Sequence, residues 1–253
     1  MSSKKELFAR FGIASKGTVY IIVSILTLLS AFNAGGKQSG SRDAIEYIAN
    51  QSYGTILLSI VALGLLGYVF WRFYQGFYNP KDLDNDTKGI VKRIAYVVSG
   101  IIYGFLCYYA ISLILGNSSQ SSSGGGNSFG SGSSEIVGWI IGIIIFGKGI
   151  YDIYQAYSKK YKEDLENTGL SSSAQSTMLK WGRLGYTMRG VVFVLMAYLT
   201  IKANSSNVSG KTDVFSYVQD EFGSIPLALM AFGLLGYGVF MLVKSKYASM
   251  SIS

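Results

Sequence analysis

The chain has 253 residues, 49% of them hydrophobic and only 14% charged, with a net charge of +8. Soluble domains carry roughly a quarter charged residues, so much of this surface is built to face something other than water. Histidine is absent and cysteine occurs once, at Cys107, which excludes a histidine-based triad, an intrachain disulfide and the usual zinc or haem ligation.

A membrane-spanning helix needs about 20 mostly apolar residues. Six such runs occur, at 13–32, 54–74, 95–115, 136–157, 184–203 and 225–243. The first follows Lys4, Lys5 and Arg10 as a secretory signal would. Its apolar stretch is long, however, and the Ala-Phe-Asn-Ala at its end fits a cleavage site poorly, so it reads as a span. Between the first two runs, residues 41–50 place Ala44, Ile45, Ile48 and Ala49 on one helical face, with Ser41 as N-cap. Residues 212–222 repeat the pattern with Val214, Phe215, Val218 and Phe222. Both are predicted to be short amphipathic helices lying on the outer surface. The corresponding segment between the third and fourth runs, 117–134, is almost entirely Ser, Gly and Asn, a composition that cannot bury apolar area.

Lysine and arginine set the expected orientation. Of the 22, 18 fall on the side that holds both termini, and only Lys37, Arg42, Lys202 and Lys211 fall on the other. The positive-inside rule then puts both termini in the cytoplasm. Trp71, Tyr74, Tyr154, Tyr157 and Trp181 cluster toward the same side, at the level where amphipathic rings settle.

The runs repeat in pairs. Arg10, Arg93 and Arg183 open the odd-numbered runs, each followed by a small residue two on, a glycine seven on (Gly17, Gly100, Gly190) and an aromatic ten on. The even runs carry Gly64-Leu-Leu-Gly67-Tyr68 and Gly233-Leu-Leu-Gly236-Tyr237, and Gly147 holds the place of Gly67 in the middle pair. From opening arginine to this glycine the distances are 57, 54 and 53 residues (67−10, 147−93, 236−183). The expected fold is therefore all-α: a polytopic membrane bundle of six transmembrane helices, built as three parallel two-helix repeats with pseudo-threefold symmetry. The repeats run 8–80, 91–165 and 181–247, the first and third with an outer amphipathic helix and the second with the Gly/Ser-rich loop 117–134.

These motifs resemble the bacterial "domain of unknown function 1206" family. The likeness covers roughly residues 8–247 and is clearest in the first and third repeats. It implies an integral membrane protein with three two-span repeats and supplies no activity, substrate or catalytic residue. Mitochondrial carriers share the repeat count only; Pro80 and Pro226 lie outside any motif of theirs.

Ionisable residues within apolar spans are functional candidates by default. Here they are Asp152, Lys148, Arg72, Arg189 and Lys16, with Arg93 near by, as an ion pair or a polar path. Asp152 is the one acidic residue well inside a span, and it is expected to be buried and paired with at least one of Lys148, Arg72, Arg93 and Arg189. Arg10, Arg93 and Arg183 would form a cytoplasmic basic ring if they faced the axis. Gly17, Gly100, Gly190, Gly67, Gly147 and Gly236, with Gly100/Gly104 and Gly138/Gly142 as GxxxG pairs, are expected to pack helices. Asp82, Asp84 and Asp86 read as a solvated loop.

No catalytic, cofactor or metal motif is legible, and no nucleic-acid partner is expected. The expected function is a non-enzymatic membrane protein that packs against lipid, a membrane-protein partner or a second copy of itself. The alternative is a small-solute or ion transporter or channel along the pseudo-threefold axis.

Overall fold

Apolar segments of this length must satisfy their backbone groups internally, and helices do so residue by residue. A computed structural model describes residues 2–32, 41–78, 87–116, 135–158, 172–202 and 211–247. Among them are eight helices and no strand: α1 (Ser2–Ala31), α2 (Ser41–Ala49), α3 (Gly54–Phe77), α4 (Thr87–Ile114), α5 (Glu135–Tyr157), α6 (Ser172–Lys202), α7 (Lys211–Phe222) and α8 (Ser224–Tyr247). Gly223, at φ 82°, makes the turn between α7 and α8, a backbone conformation that costs glycine nothing. The Gly/Ser tract 117–134 and the loop with Asp82, Asp84 and Asp86 lie outside the described residues.

Five helices are long and apolar enough to cross a membrane by length and composition: α1 over Arg10–Ala31, α3, α4 over Lys92–Ile114, α6 and α8. The remaining expected run folds as α5 but is not one of the five among the described residues. Lys148 and Asp152 interrupt its apolar sequence.

The long helices pack as neighbours in the order α4, α3, α1, α8, α6, α5. The two ends of this series, α4 and α5, share no extended contact among the described residues. Glycines explain both the contacts and the gap. A Cβ on Gly17 would stand 2.9 Å from the Gly238 carbonyl oxygen, and one on Gly190 2.8 Å from that of Gly149, so α1–α8 and α6–α5 cross backbone to backbone. A Cβ on Gly12 would lie 2.5 Å from the Tyr68 amide nitrogen, and one on Gly185 2.6 Å from that of Tyr237, which sets α1 on α3 and α6 on α8. The same seams bring Ser15 onto Gly64 and Met188 onto Gly233. Counted from Arg93 and Gly147, the matching residues on α4 and α5 are Ala95 and Lys148, Val98 and Ile144. Ala95 and Ile144 stand where the other two seams have glycine, and the helices stay apart.

The packing glycines therefore need two corrections. Gly17 and Gly190 meet Gly238 and Gly149, each two residues beyond the glycine singled out in the sequence. Gly147 packs on none of the described residues: a Cβ there would find no neighbour among them within 4 Å, because α4 is not beside it. Gly236 rests on Trp181, and Gly100 on Arg72 and Phe73 at 3.4 Å. Gly67 is buried, Gly104 has Val69 at 4.0 Å, and Gly142 meets Ile201 at 3.3 Å. Nothing is described of the surroundings of Gly138.

The amphipathic segments form α2 and α7, and the bundle covers their apolar faces. Ala44, Ile45 and Ile48 of α2, and Val214, Phe215 and Val218 of α7, are buried. The two helices pack on α1, α3 and α4 and on α6 and α8 respectively. Their N-terminal ends join: Lys211 Nζ donates to Ser41 Oγ at 2.9 Å, and Thr212 Oγ1 to Asp43 Oδ2 at 2.8 Å. Lys211 also lies 3.9 Å above the Tyr20 ring. Phe222, expected on the apolar face, is exposed instead, since it is the last residue before the Gly223 turn.

Candidate functional site

A carboxylate among apolar side chains requires a cation of matching geometry. Asp152 of α5 is fully buried. Arg189 of α6 grips it at two points, Nε to Oδ2 at 2.8 Å and Nη2 to Oδ1 at 2.7 Å. Lys148, one turn earlier on α5, also reaches Asp152 Oδ1. The Gly149–Gly190 crossing is what allows this: without it the guanidinium would stand a side chain further off.

Beyond Asp152 the cluster continues, among the described residues, with cations and no further acid. Arg189 also donates through Nη1 to Tyr237 Oη and lies 4.2 Å from that ring's centre. Across the bundle, Tyr68 Oη accepts from Lys16 Nζ at 3.1 Å and from Arg72 Nε at 2.7 Å. Arg72 Nη1 donates to Gln75 Oε1 at 3.0 Å. The Lys16 ammonium faces the rings of Tyr103, Tyr68 and Tyr237 at 5.0, 5.1 and 5.6 Å. Arg72 faces Tyr68 and Tyr96 at 4.9 and 5.1 Å. Tyrosine rings give these charges cation–π partners in place of water. The rings lock each other: Tyr68 on Tyr103 at 4.8 Å, and Tyr20 and Tyr186 on Tyr237 at 4.9 and 5.2 Å, all edge to face. Lys16 and Arg189 are buried.

Four of the cations singled out in the sequence thus converge, Lys16, Arg72, Lys148 and Arg189, against the one carboxylate of Asp152. Arg72 bonds Tyr68 and Gln75, and Arg93 is directed to the end of α3, where Nε and Nη2 donate to the carbonyls of Gly76 and Phe77 at 2.9 and 3.2 Å. Arg10 does the same for α8, donating from Nη1 to the Ser245 carbonyl at 3.2 Å and to that of Lys246. Arg183 lies 5.0 Å from the ring of Tyr157, the last residue of α5. The three opening arginines occupy equivalent places in the bundle. Each attends the C-terminal end of a neighbouring helix, where unpaired carbonyls and the helix dipole favour a cation. Cys107 is buried, its Sγ 3.4 Å from the Ala62 carbonyl oxygen.

The tyrosines were not read as site residues in the sequence, although their positions were marked. Tyr68 and Tyr237 end the Gly-Leu-Leu-Gly-Tyr motif, and Tyr20 and Tyr103 are the aromatics ten beyond the opening arginine. Recurrence of a hydroxyl-bearing ring at those positions was the available signal.

The family model for a Domain of Unknown Function (DUF1206) matches residues 11–79 and 184–248. The chain belongs to the DUF1206 family. The matched regions hold α1–α3 and α6–α8, the two DUF1206 units in which Gly12 meets Tyr68 and Gly185 meets Tyr237. Asp152 and Lys148 lie outside the matches; Arg189 of the second matched region holds Asp152, and the two matched regions meet directly where Lys16 and Tyr20 face Tyr237. A relative is the uncharacterized protein YxxB of Bacillus subtilis strain 168, 24% identical over 261 residues, which cover 96% of this chain and 91% of that protein. No solved structure matches.

Proposed function

We propose that the chain is a non-enzymatic, six-span protein of the bacterial inner membrane that binds a small anion in its centre. Both termini are cytoplasmic, and the spans are three parallel two-helix repeats about a pseudo-threefold axis. Support for the repeat comes from the shared register of Arg10, Arg93 and Arg183, each at the end of the preceding repeat's second helix. Support for the sixth span comes from the backbone crossing of α5 on α6, which parallels that of α1 on α8.

The observation that carries the anion reading is the charge imbalance at Lys16, Arg72, Lys148 and Arg189, with Asp152 the one carboxylate among the described residues that pairs with them. Buried cations in excess are costly unless matched. A bound anion supplies the match, and Lys and Arg supply charge-assisted donors to hold it. This favours the solute-binding alternative over a purely packing role. Docking of partners through α2 and α7 has less support, because their apolar faces are already covered.

The test is thermal unfolding of the purified protein in neutral detergent, with chloride, sulfate and phosphate titrated at constant ionic strength. At least one anion raises Tm in the natural protein and less so in Arg72→Gln. Equal Tm in all anions overturns the reading.

A further inference from the structure

The seams that close α1 on α3 and α6 on α8 stand open on α4 and α5. Gly12, Gly64 and Gly67 are buried, as is Trp71, while their counterparts Ala95, Ile144, Gly147 and Tyr151 are exposed. Gly147 has open space where a Cβ would be. At the inner end of this cleft is Lys148, with 35% of its side chain exposed although it holds the fully buried Asp152. Arg72 lies 5.1 Å from the ring of Tyr96 on α4, and Arg189 shares Asp152 with Lys148. An apolar-walled cleft therefore opens sideways onto the cationic cluster. Arg72 and Asp152 each lie five residues before their helix ends, at Phe77 and Tyr157 (77−72, 157−152), within reach of the headgroup layer.

We propose that this cleft admits a phosphate-bearing amphiphile, an acidic phospholipid of the cytoplasmic leaflet, as the anion of the central site. Its phosphate meets Lys148 and Arg72, and an acyl chain lies along Ile144, Gly147 and Tyr151. The inference rests on the anion-binding reading above. Charge complementarity selects the occupant: a neutral helix or a second copy would cover the apolar walls and leave the cations unmatched. Free phosphate shares the headgroup chemistry but gains nothing from the walls.

The full chain, stripped of lipid in neutral detergent, is titrated with phosphatidylglycerol, phosphatidylcholine and inorganic phosphate. Bound lipid is counted by native mass spectrometry, and phosphate binding is read as a rise in Tm. Phosphatidylglycerol is expected to bind about ten-fold or more tightly than phosphatidylcholine, since its net negative charge meets two basic side chains. Gly147→Leu, which fills the cleft from a position with free space, is expected to lose most of the phosphatidylglycerol binding and keep the phosphate response. Should that variant fold poorly, the comparison of the two lipids on the natural chain, and its loss in Lys148→Gln, decides the matter. Equal binding of the two lipids, or undiminished phosphatidylglycerol on a folded Gly147→Leu, overturns the proposal. A dimer that closes the cleft and takes no lipid overturns it as well. A response to phosphate without lipid binding removes the lipid and leaves the anion site; no response to either removes both.

Discussion

Arg189 and Asp152 form a two-point ion pair across the α5–α6 interface, at 2.8 and 2.7 Å, beside the Gly149–Gly190 crossing. Removing the carboxylate leaves the buried Arg189 guanidinium unpaired beside the part-exposed Lys148 ammonium. Asp152→Asn is expected to cost on the order of 3 kcal/mol, the scale for breaking a buried pair. Thermal unfolding in detergent measures it, and an unaltered Tm contradicts it. Arg189→Met combined with Asp152→Asn should cost less than the two single changes added, because the residues share one interaction.

Tyr68 Oη accepts from two cations at once. Tyr68→Phe keeps the ring and its stacking on Tyr103 but leaves Lys16 and Arg72 each short of a partner. A loss of about 1–3 kcal/mol is expected, the penalty for an unsatisfied buried polar group. Tyr108, which is exposed, provides the control: Tyr108→Phe should leave the unfolding curve where it was.

Gly12 and Gly185 occupy equivalent close approaches, and Gly147 occupies none. Gly12→Ala and Gly185→Ala should each destabilise by about 1–3 kcal/mol through overpacking against backbone that cannot move aside. Gly147→Ala should instead stabilise by up to about 1 kcal/mol, the gain in helix propensity. Unfolding curves of the three variants, run together, check the contrast; a destabilised Gly147→Ala would mean that α4 closes on α5.

The orientation can be read with single cysteines placed on a Cys107→Ala background. Ser122→Cys should react with a membrane-impermeant thiol reagent in intact cells, and Ser251→Cys only after lysis. The reverse pattern would invert the topology inferred from the 18 to 4 distribution of lysine and arginine (22−18 = 4).

Composition and spacing alone determined the helical class, the long apolar runs, the register of the opening arginines and the presence of a lone acid at Asp152. These are legible because they depend on the chain's local polarity and on the 3.6-residue period of one helix at a time. The tertiary structure decided which cations meet. Lys148 and Arg189 reach Asp152, Arg72 turns to Tyr68, and Arg93 turns to the end of α3. It also decided that α2 and α7 bury their apolar faces on the bundle and that α4 and α5 stay apart. Spacing along one helix fixes a residue's direction around that helix, but not the rotation or distance of its neighbour. Those follow from backbone approach at a few glycines. Where Ala95 and Lys148 replace the glycine and tyrosine of the other seams, the approach fails and a cleft opens beside the cations.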